Sequence, residues 1–310
     1  MLSKGTCQFL EQAGIAKQTF IKICMMKNEM AHIHILPHPL LREHIAHYTF
    51  HLPSAVETYT SMLIPDASGS IACFFHTDGP QFYIWGPSSR IFHAPVHPQS
   101  PMCLFVDFLP AGAHSLLKSL PMSEVGDKSF PLAVVDKDLG VDTERTIAQF
   151  ISLERVSSGH SRHIGKVIEE SVSDLPAFID ALDSIFLRCL FNKTSILNSF
   201  IRLVLESSGS LRVAELAKFL RYSPRHLNRL CMQQVGLSAK CFSRVVRVNI
   251  ACERLKRSEV SLAELTYDLG YYDQSHFIND FKNICEIPPS HYLQNPSAFY
   301  SESYKLSAAN

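Results

Sequence analysis

Leu216-Ala217-Lys218-Phe219-Leu220-Arg221-Tyr222-Ser223-Pro224-Arg225-His226-Leu227-Asn228-Arg229-Leu230 begins a pattern that runs to Gly236 and is written again from Leu265 to Glu286. Each copy reads as a short helix, a tight turn and a second helix, the arrangement that lays one helix in the DNA major groove. Two copies in one chain predict a reader of two successive groove faces.

In the first copy Val213, Leu216, Ala217 and Leu220 form the inner stripe of a positioning helix. Ser223 caps the next helix, and Pro224 takes its first position, where a missing N–H costs nothing. Leu227 and Leu230 point inward. Arg225, Asn228 and Arg229 fall on the opposite face and suit base edges, because Arg pairs bidentately with guanine and Asn with adenine. Gly236 stands where a left-handed C-cap is required. A longer helix from about Ser238 to Lys256 acts as a spacer, with Val245, Val248, Ala251, Cys252 and Leu255 packing against both halves. In the second copy Leu262, Leu265 and Leu269 repeat the stripe, Gly270 sits in the turn and Asp273 is the cap. Phe277 and Phe281 are core residues, and Gln274, Ser275, Ile278 and Asn279 form the reading face. A spacer holding the reading helices about 34 Å apart would put them in adjacent turns of the groove.

These residues, with Gly236-Leu237-Ser238, Phe242, Arg247, Leu269-Gly270-Tyr271, Gln274-Ser275-His276-Phe277, Phe281-Lys282, Pro289-Ser290 and Tyr292, resemble the double helix-turn-helix domain of AraC/XylS-type transcription regulators. The resemblance covers roughly a hundred residues, far more than a lone motif. It implies sequence-specific binding of double-stranded DNA by the helices that begin at Ser223 and Asp273. It implies transcription regulation, activators included, with RNA polymerase as a partner, and it leaves a small-molecule effector and a homodimer open. The chain departs from the family's usual residues at Asn279, where arginine is common, at Asp280, where a small residue is, and at Glu286, where glycine is. Loss of that arginine removes a strong contact, and Asp280 would repel a phosphate it faced, so the second copy is expected to grip DNA more weakly.

Net charge is zero over the whole chain, but its distribution is not even. From Gly209 to Asn295 twelve Lys and Arg outnumber eight Asp and Glu, a net +4 that leaves −4 on the remainder. The excess places a phosphate-attracting surface on the C-terminal part. With 46% hydrophobic and 19% charged residues in 310, the chain has material for two cores. Its apolar runs fall short of the roughly 20 residues of a membrane span, and Lys4, Glu11, Lys17, Lys22 and Lys27 break the first thirty. The expected compartment is the cytoplasm, with no membrane partner. Nine scattered cysteines without a C-x-x-C pair fit reduced packing residues.

Short apolar runs at Ile71 to Phe75, Phe82 to Trp85 and Cys103 to Phe108 alternate with turn signals at Pro65-Asp66, Asp78-Gly79-Pro80, Gly86-Pro87 and Pro110-Ala111-Gly112. They predict a β-rich barrel or sandwich between His32 and Val135. Helical periodicity follows near Thr143 to Glu154, Ser161 to Ser171, Leu175 to Phe191 and Ile196 to Glu206, and Ser207-Ser208-Gly209-Ser210 reads as a linker. The fold class is thus α+β: residues 1–206 form a β-rich sensory or dimerisation domain with a helical connector, and residues 207–310 an all-α double helix-turn-helix domain. Leu63 to Asp66, Phe82 to Gly86 and Phe105 to Gly112 look like the β-rich domain found on some members of the same family, in a looser match.

His32, His34, His38, His44, His47 and His51 crowd one region, but no further ligand stands at a spacing that would complete a metal site, so hydrogen-bonded or solvated histidines are the expectation. His93 and His97, beside Pro95 and Pro98, read as loop residues. A metal-dependent enzyme or small-ligand binding protein built on the β-barrel is the competing reading; the sequence holds no G-x-S-x-G, phosphate-binding glycine loop, H-E-x-x-H or paired-carboxylate motif to carry it. Scattered thiols also argue against alkyl-transfer repair on zinc. The expectation is no catalytic residue, no metal and no cofactor. Arg244, Arg247 and Arg254 are placed either toward phosphate or toward a buried acid such as Glu215.

Overall fold

The computed structural model describes residues 20–26, 29–51, 62–76, 79–93, 102–117, 120–152, 164–190, 196–257, 260–294, 299–300 and 306. Asp78, Pro95, His97, Pro98, Glu154, Ser161 and Phe191 lie outside them, and so do the expectations that fall there. Ten strands appear among the described residues: β1 (Phe20–Met26), β2 (Glu29–Ile35), β3 (Ile45–His51), β4 (Met62–Leu63), β5 (Ser70–His76), β6 (Gly79–Trp85), β7 (Phe92–His93), β8 (Cys103–Phe108), β9 (Ser129–Pro131) and β10 (Phe299–Tyr300). The principal helices are α1 (Lys137–Phe150), α2 (Ile164–Ser171), α3 (Leu175–Cys189), α4 (Ile196–Glu206), α5 (Val213–Phe219), α6 (Pro224–Gln234), α7 (Ala239–Lys256), α8 (Leu262–Asp268), α9 (Gln274–Cys285) and α10 (Pro289–Gln294).

The strand runs expected from the sequence assemble into a seven-stranded antiparallel sheet, in the order β1-β2-β3-β8-β5-β6-β9. Side chains alternate between its faces with a period of two. Ile33, Tyr48, Phe50, Ile71, Phe75, Leu104, Val106 and Phe108 bury one face in a core with Phe178, Leu182 and Phe186 of α3 and Ile147 of α1. Ala72, Phe74, Trp85 and Phe105 project to the other face, where they meet Leu63 and Phe92 of a small sheet ordered β10-β4-β7. The Trp85 and Phe92 rings lie 5.0 Å apart. The sheets therefore form a sandwich on one face, while helices cover the other.

Buried carboxylates bind these layers together. Asp183 of α3 accepts from the Tyr48 hydroxyl at 2.8 Å and from the His38 backbone N–H at 3.0 Å, pinning the helix to the sheet. Burial pushes its carboxyl up from the ordinary value, partly offset by those two hydrogen bonds. On the sandwich face one of the crowded histidines, His34, takes a hydrogen-bonded arrangement. His34 Nδ1 lies 2.9 Å from Thr49 Oγ1 and its ring stacks on His47 at 4.3 Å, while the hydroxyls of Thr49 and Ser70 each donate to Asp107 at 2.7 Å. Seven cysteines among the described residues are free thiols, as expected.

A second core joins the helices of the C-terminal part. Into it go Phe200 and Val204 of α4 together with Leu216, Leu227, Phe242, Leu265, Phe277 and Phe281. The α4 helix, read from sequence as the end of the connector, packs with the helix-turn-helix unit: the rings of Phe200 and Phe242 meet at a tilt, 5.6 Å apart. Three residues of the sheet part, Ile64, Ala67 and Ile91, are buried in the same core. Around them Ile91 N–H donates to Ile284 O at 2.8 Å, and the Asn249 side-chain amide donates to Pro65 O. Strand β10, from the end of the chain, runs parallel to β4 and closes the join.

The two copies place their left-handed residues at corresponding points but fill them oppositely. In the turn, the first copy has Arg221 at φ 59° and the second Gly270 at 69°; at the reading-helix end, the first has Gly236 at 84° and the second Glu286 at 59°. Only glycine adopts this region without steric cost. Glu286→Gly is expected to raise the free energy of urea unfolding by about 1 kcal/mol. Gly236→Ala should lower it, because the added carbon would come within 2.8 Å of Met122 O and 2.6 Å of Pro87 Cγ. The packing of α4 predicts that a 196–310 fragment melts at least about 10 °C above a 209–310 fragment, since the shorter chain forfeits Phe200 and Val204, each worth about 1.5–3 kcal/mol of burial. Equal melting temperatures by circular dichroism would assign α4 to the sheet domain.

Candidate nucleic-acid interface

Each half of the interface is built from a seven-residue positioning helix and a longer reading helix. In the first, Arg212 N–H donates to Glu215 Oε2 at 2.8 Å to start α5, and Leu216 and Ala217 are buried. After the turn at Arg221, Tyr222 stacks on His226 at 4.9 Å, and Ser223 Oγ accepts from His226 N–H at 3.1 Å. This is the cap expected from the sequence, with Pro224 at the first position of α6. Leu227 and Cys231 face the core, so Arg225, Asn228 and Arg229 emerge on the outer face, all three exposed.

These three are not equivalent. No carboxylate among the described residues pairs with Arg225 or Arg229, and Arg229 Nη2 lies 3.3 Å from His226 Nδ1. Asn228 is engaged: its Oδ1 accepts from Ala239 N–H at 3.1 Å, tying α6 to the first turn of α7. Bidentate pairing with adenine needs that same oxygen. Sequence reasoning missed this because position 228 faces outward on an isolated helix; the bond exists only once α7 folds back beside it.

The second half repeats the construction with different residues. Ser261 and Glu264 form a reciprocal capping box, in which Ser261 N–H and Oγ donate to Glu264 at 2.8 and 2.7 Å and Glu264 N–H donates to Ser261 Oγ at 3.2 Å. Those Ser261 hydrogen bonds hold the Glu264 carboxyl below its ordinary value. Asp273 caps α9 by accepting from His276 N–H at 2.7 Å. Phe277 and Phe281 are fully buried and 5.9 Å apart, as core residues should be. Gln274, Ser275 and Asn279 are exposed on the reading face. Ile278 is not: it is half-buried against the second core, one position round from Phe277, and leaves the expected reading set.

Asp280, expected to repel phosphate if it faced one, turns inward. It is buried, and Arg244 donates to it through Nε at 3.0 Å and Nη2 at 2.9 Å. The expected acid partner for this arginine group was Glu215, which caps its own helix instead. Arg254 pairs with Asp268 at 2.7 Å, and Arg247 donates to Gly209 O at 3.0 Å while lying 4.6 Å from the centre of the Tyr271 ring. Two aromatic residues absent from the sequence reading stand out on the second half: Tyr272, 93% exposed beside the Asp273 cap, and Tyr267, 85% exposed. Tyr271 and Tyr272 read alike in sequence, and only the turn geometry sends one into the core and the other outward.

Among the described residues no three His, Cys, Asp or Glu side chains are placed to hold a metal ion, and no helix is long and apolar enough to cross a membrane.

Comparison with known proteins follows the same division of the chain. Residues 216–295 match the helix-turn-helix domain family, and residues 33–131 match a domain of unknown function, DUF6597. An uncharacterized HTH-type transcriptional regulator of Haemophilus influenzae is 27% identical over 99 residues, 32% of this chain and 33% of that protein. The HTH-type transcriptional regulator GlxA of Rhizobium meliloti is 24% identical over 157 residues, 51% of this chain and 43% of its own. The chain thus matches less than half the length of these curated relatives. Among solved structures, the C-terminal domain of AraT, a response regulator from Geobacillus stearothermophilus, is 26% identical and matches 35% of this chain and 90% of that one, with a TM-score of 0.32. The paired caps, turns and buried stripes and the match over residues 216–295 agree, and the C-terminal part of this chain is a double helix-turn-helix domain of the AraC/XylS type.

Proposed function

We propose that the protein is a sequence-specific DNA-binding regulator of transcription, acting in the cytoplasm and without enzymatic activity of its own. The observation that carries this reading is the pair of N-capped helices, α6 and α9, that present outward polar faces from one shared core. Arg225 and Arg229 are its main base readers, with Gln274, Ser275 and Asn279 as secondary ones. Asn228 positions α6 against α7 through Ala239 and contacts bases at most through its amide nitrogen. The second half reads more weakly, because its exposed face carries no arginine.

In this reading residues 207–310, joined by α4, form the DNA-binding unit, and the sheet part is a sensory or dimerisation module. Its contacts at Ile64, Ala67, Ile91 and Pro65 give it a physical route to the reading helices. An effector would act by preferring one placement of those helices over another. RNA polymerase is the expected protein partner, by analogy with the regulators that the chain resembles.

Selection of bound duplexes from a random pool by the full chain should yield a defined sequence. On that sequence, at one fixed salt concentration, Arg229→Ala is expected to weaken binding by about 1–3 kcal/mol while leaving the circular dichroism melt unchanged. Unchanged affinity would remove Arg229 from the reading set. A pool that returns no preferred sequence would count against specific recognition altogether.

A further inference from the structure

A cleft of about 410 Å³ opens between the start of α5, the first half of α7 and the first turns of α9. Its walls include Arg212, Lys240, Arg244, Arg247, His276 and Asp280. Four permanent cations therefore face a single carboxylate, and Arg244 already meets that carboxylate through two nitrogens. Arg212 and Lys240 are exposed and have no carboxylate partner among the described residues. Arg247 is held rigidly, with one nitrogen on Gly209 O and its guanidinium over Tyr271. Its Nε is buried and meets no acceptor among the described residues.

We propose that this cleft is an oxyanion site that takes a phosphate group. Arg247, fixed by Gly209 O and the Tyr271 ring, contributes a held positive charge to its wall, and the exposed Lys240 and Arg212 supply further charge and donors. The cleft gathers four of the twelve Lys and Arg side chains that lie between Gly209 and Asn295 around one carboxylate. Two sources supply such a group. One is the DNA backbone that separates the grooves read by α6 and α9, and this arm rests on the proposed function. The other is a free phosphorylated small molecule, which needs no DNA.

The test uses the full chain and the double variant Lys240→Gln with Arg212→Gln, two exposed changes that spare the core. Lys256→Gln, at the far end of α7, is the control for general loss of charge. Duplex binding measured across a salt series should give a slope of log affinity against log salt that is smaller by about 1 in the double variant than in the control, one phosphate contact being worth about 0.9. Melting with inorganic phosphate against chloride at equal ionic strength reports the other source, as a rise in melting temperature present in the wild type and lost in the double variant. Either result supports the site and names its ligand. The same slope change in control and double variant, without phosphate protection, overturns it, and so does no change in either arm. A chain that binds no duplex yet is protected by phosphate refutes the DNA reading and keeps the site.

Discussion

A helix of seven residues does not hold itself together in water, because the cost of nucleation is spread over too few hydrogen bonds. Both positioning helices, α5 and α8, are of that length, and the domain exists because α7 provides the surface they lack. Over eighteen residues α7 buries Phe242, Val245, Val246, Val248, Ala251, Cys252 and Leu255. The first half packs on its start, and α9 of the second lies along it from Arg244, which holds Asp280, to its end, where Cys252 meets Cys285 at 3.9 Å and Cys252 O accepts from the Tyr292 hydroxyl. Burial raises the Cys252 thiol well above its ordinary value and leaves it a packing group rather than a reactive one.

From this dependence follow the polar contacts at the surface. Asn228 and Arg244 both reach across from one helix to a neighbour, Asn228 to the first turn of α7 and Arg244 from α7 to Asp280 of α9. They fix the rotation of each reading helix about its own axis, which decides which side chains can approach a base edge. Arg225 and Arg229 are left outward by that setting, while Ile278 and Asp280 are drawn inward by it. The unequal charge of the two reading faces is thus a property of how the second helix is turned as well as of its composition.

Features governed by neighbours in sequence were legible before the structure. Ser223, Asp273, Gly236 and Gly270 act within a few residues of themselves, and their caps and left-handed turns are where the pattern put them. Short apolar runs between turn signals likewise marked Ile71 to Phe75 and Cys103 to Phe108 as strands. What was not legible depends on partners far along the chain. The Asn228 to Ala239 bond, the Arg244 to Asp280 pair and the burial of Ile91 against the helices need elements that meet only after folding. Arg221 at positive φ was hidden for another reason: arginine carries no signal for that conformation, although Gly270 at the corresponding point of the second copy does.

The burial of Ile64, Ala67 and Ile91 in the helical core has a thermodynamic meaning. Part of the apolar surface that folds the reading helices is supplied by the sheet, so the folding equilibria of the two parts are linked rather than independent. Any molecule that binds the folded sheet and not its unfolded form draws the reading helices toward their folded state by mass action, in proportion to the logarithm of its concentration over its dissociation constant. Occupancy of one part is then felt by the other through stability alone, with no hinge, rotation or displacement required.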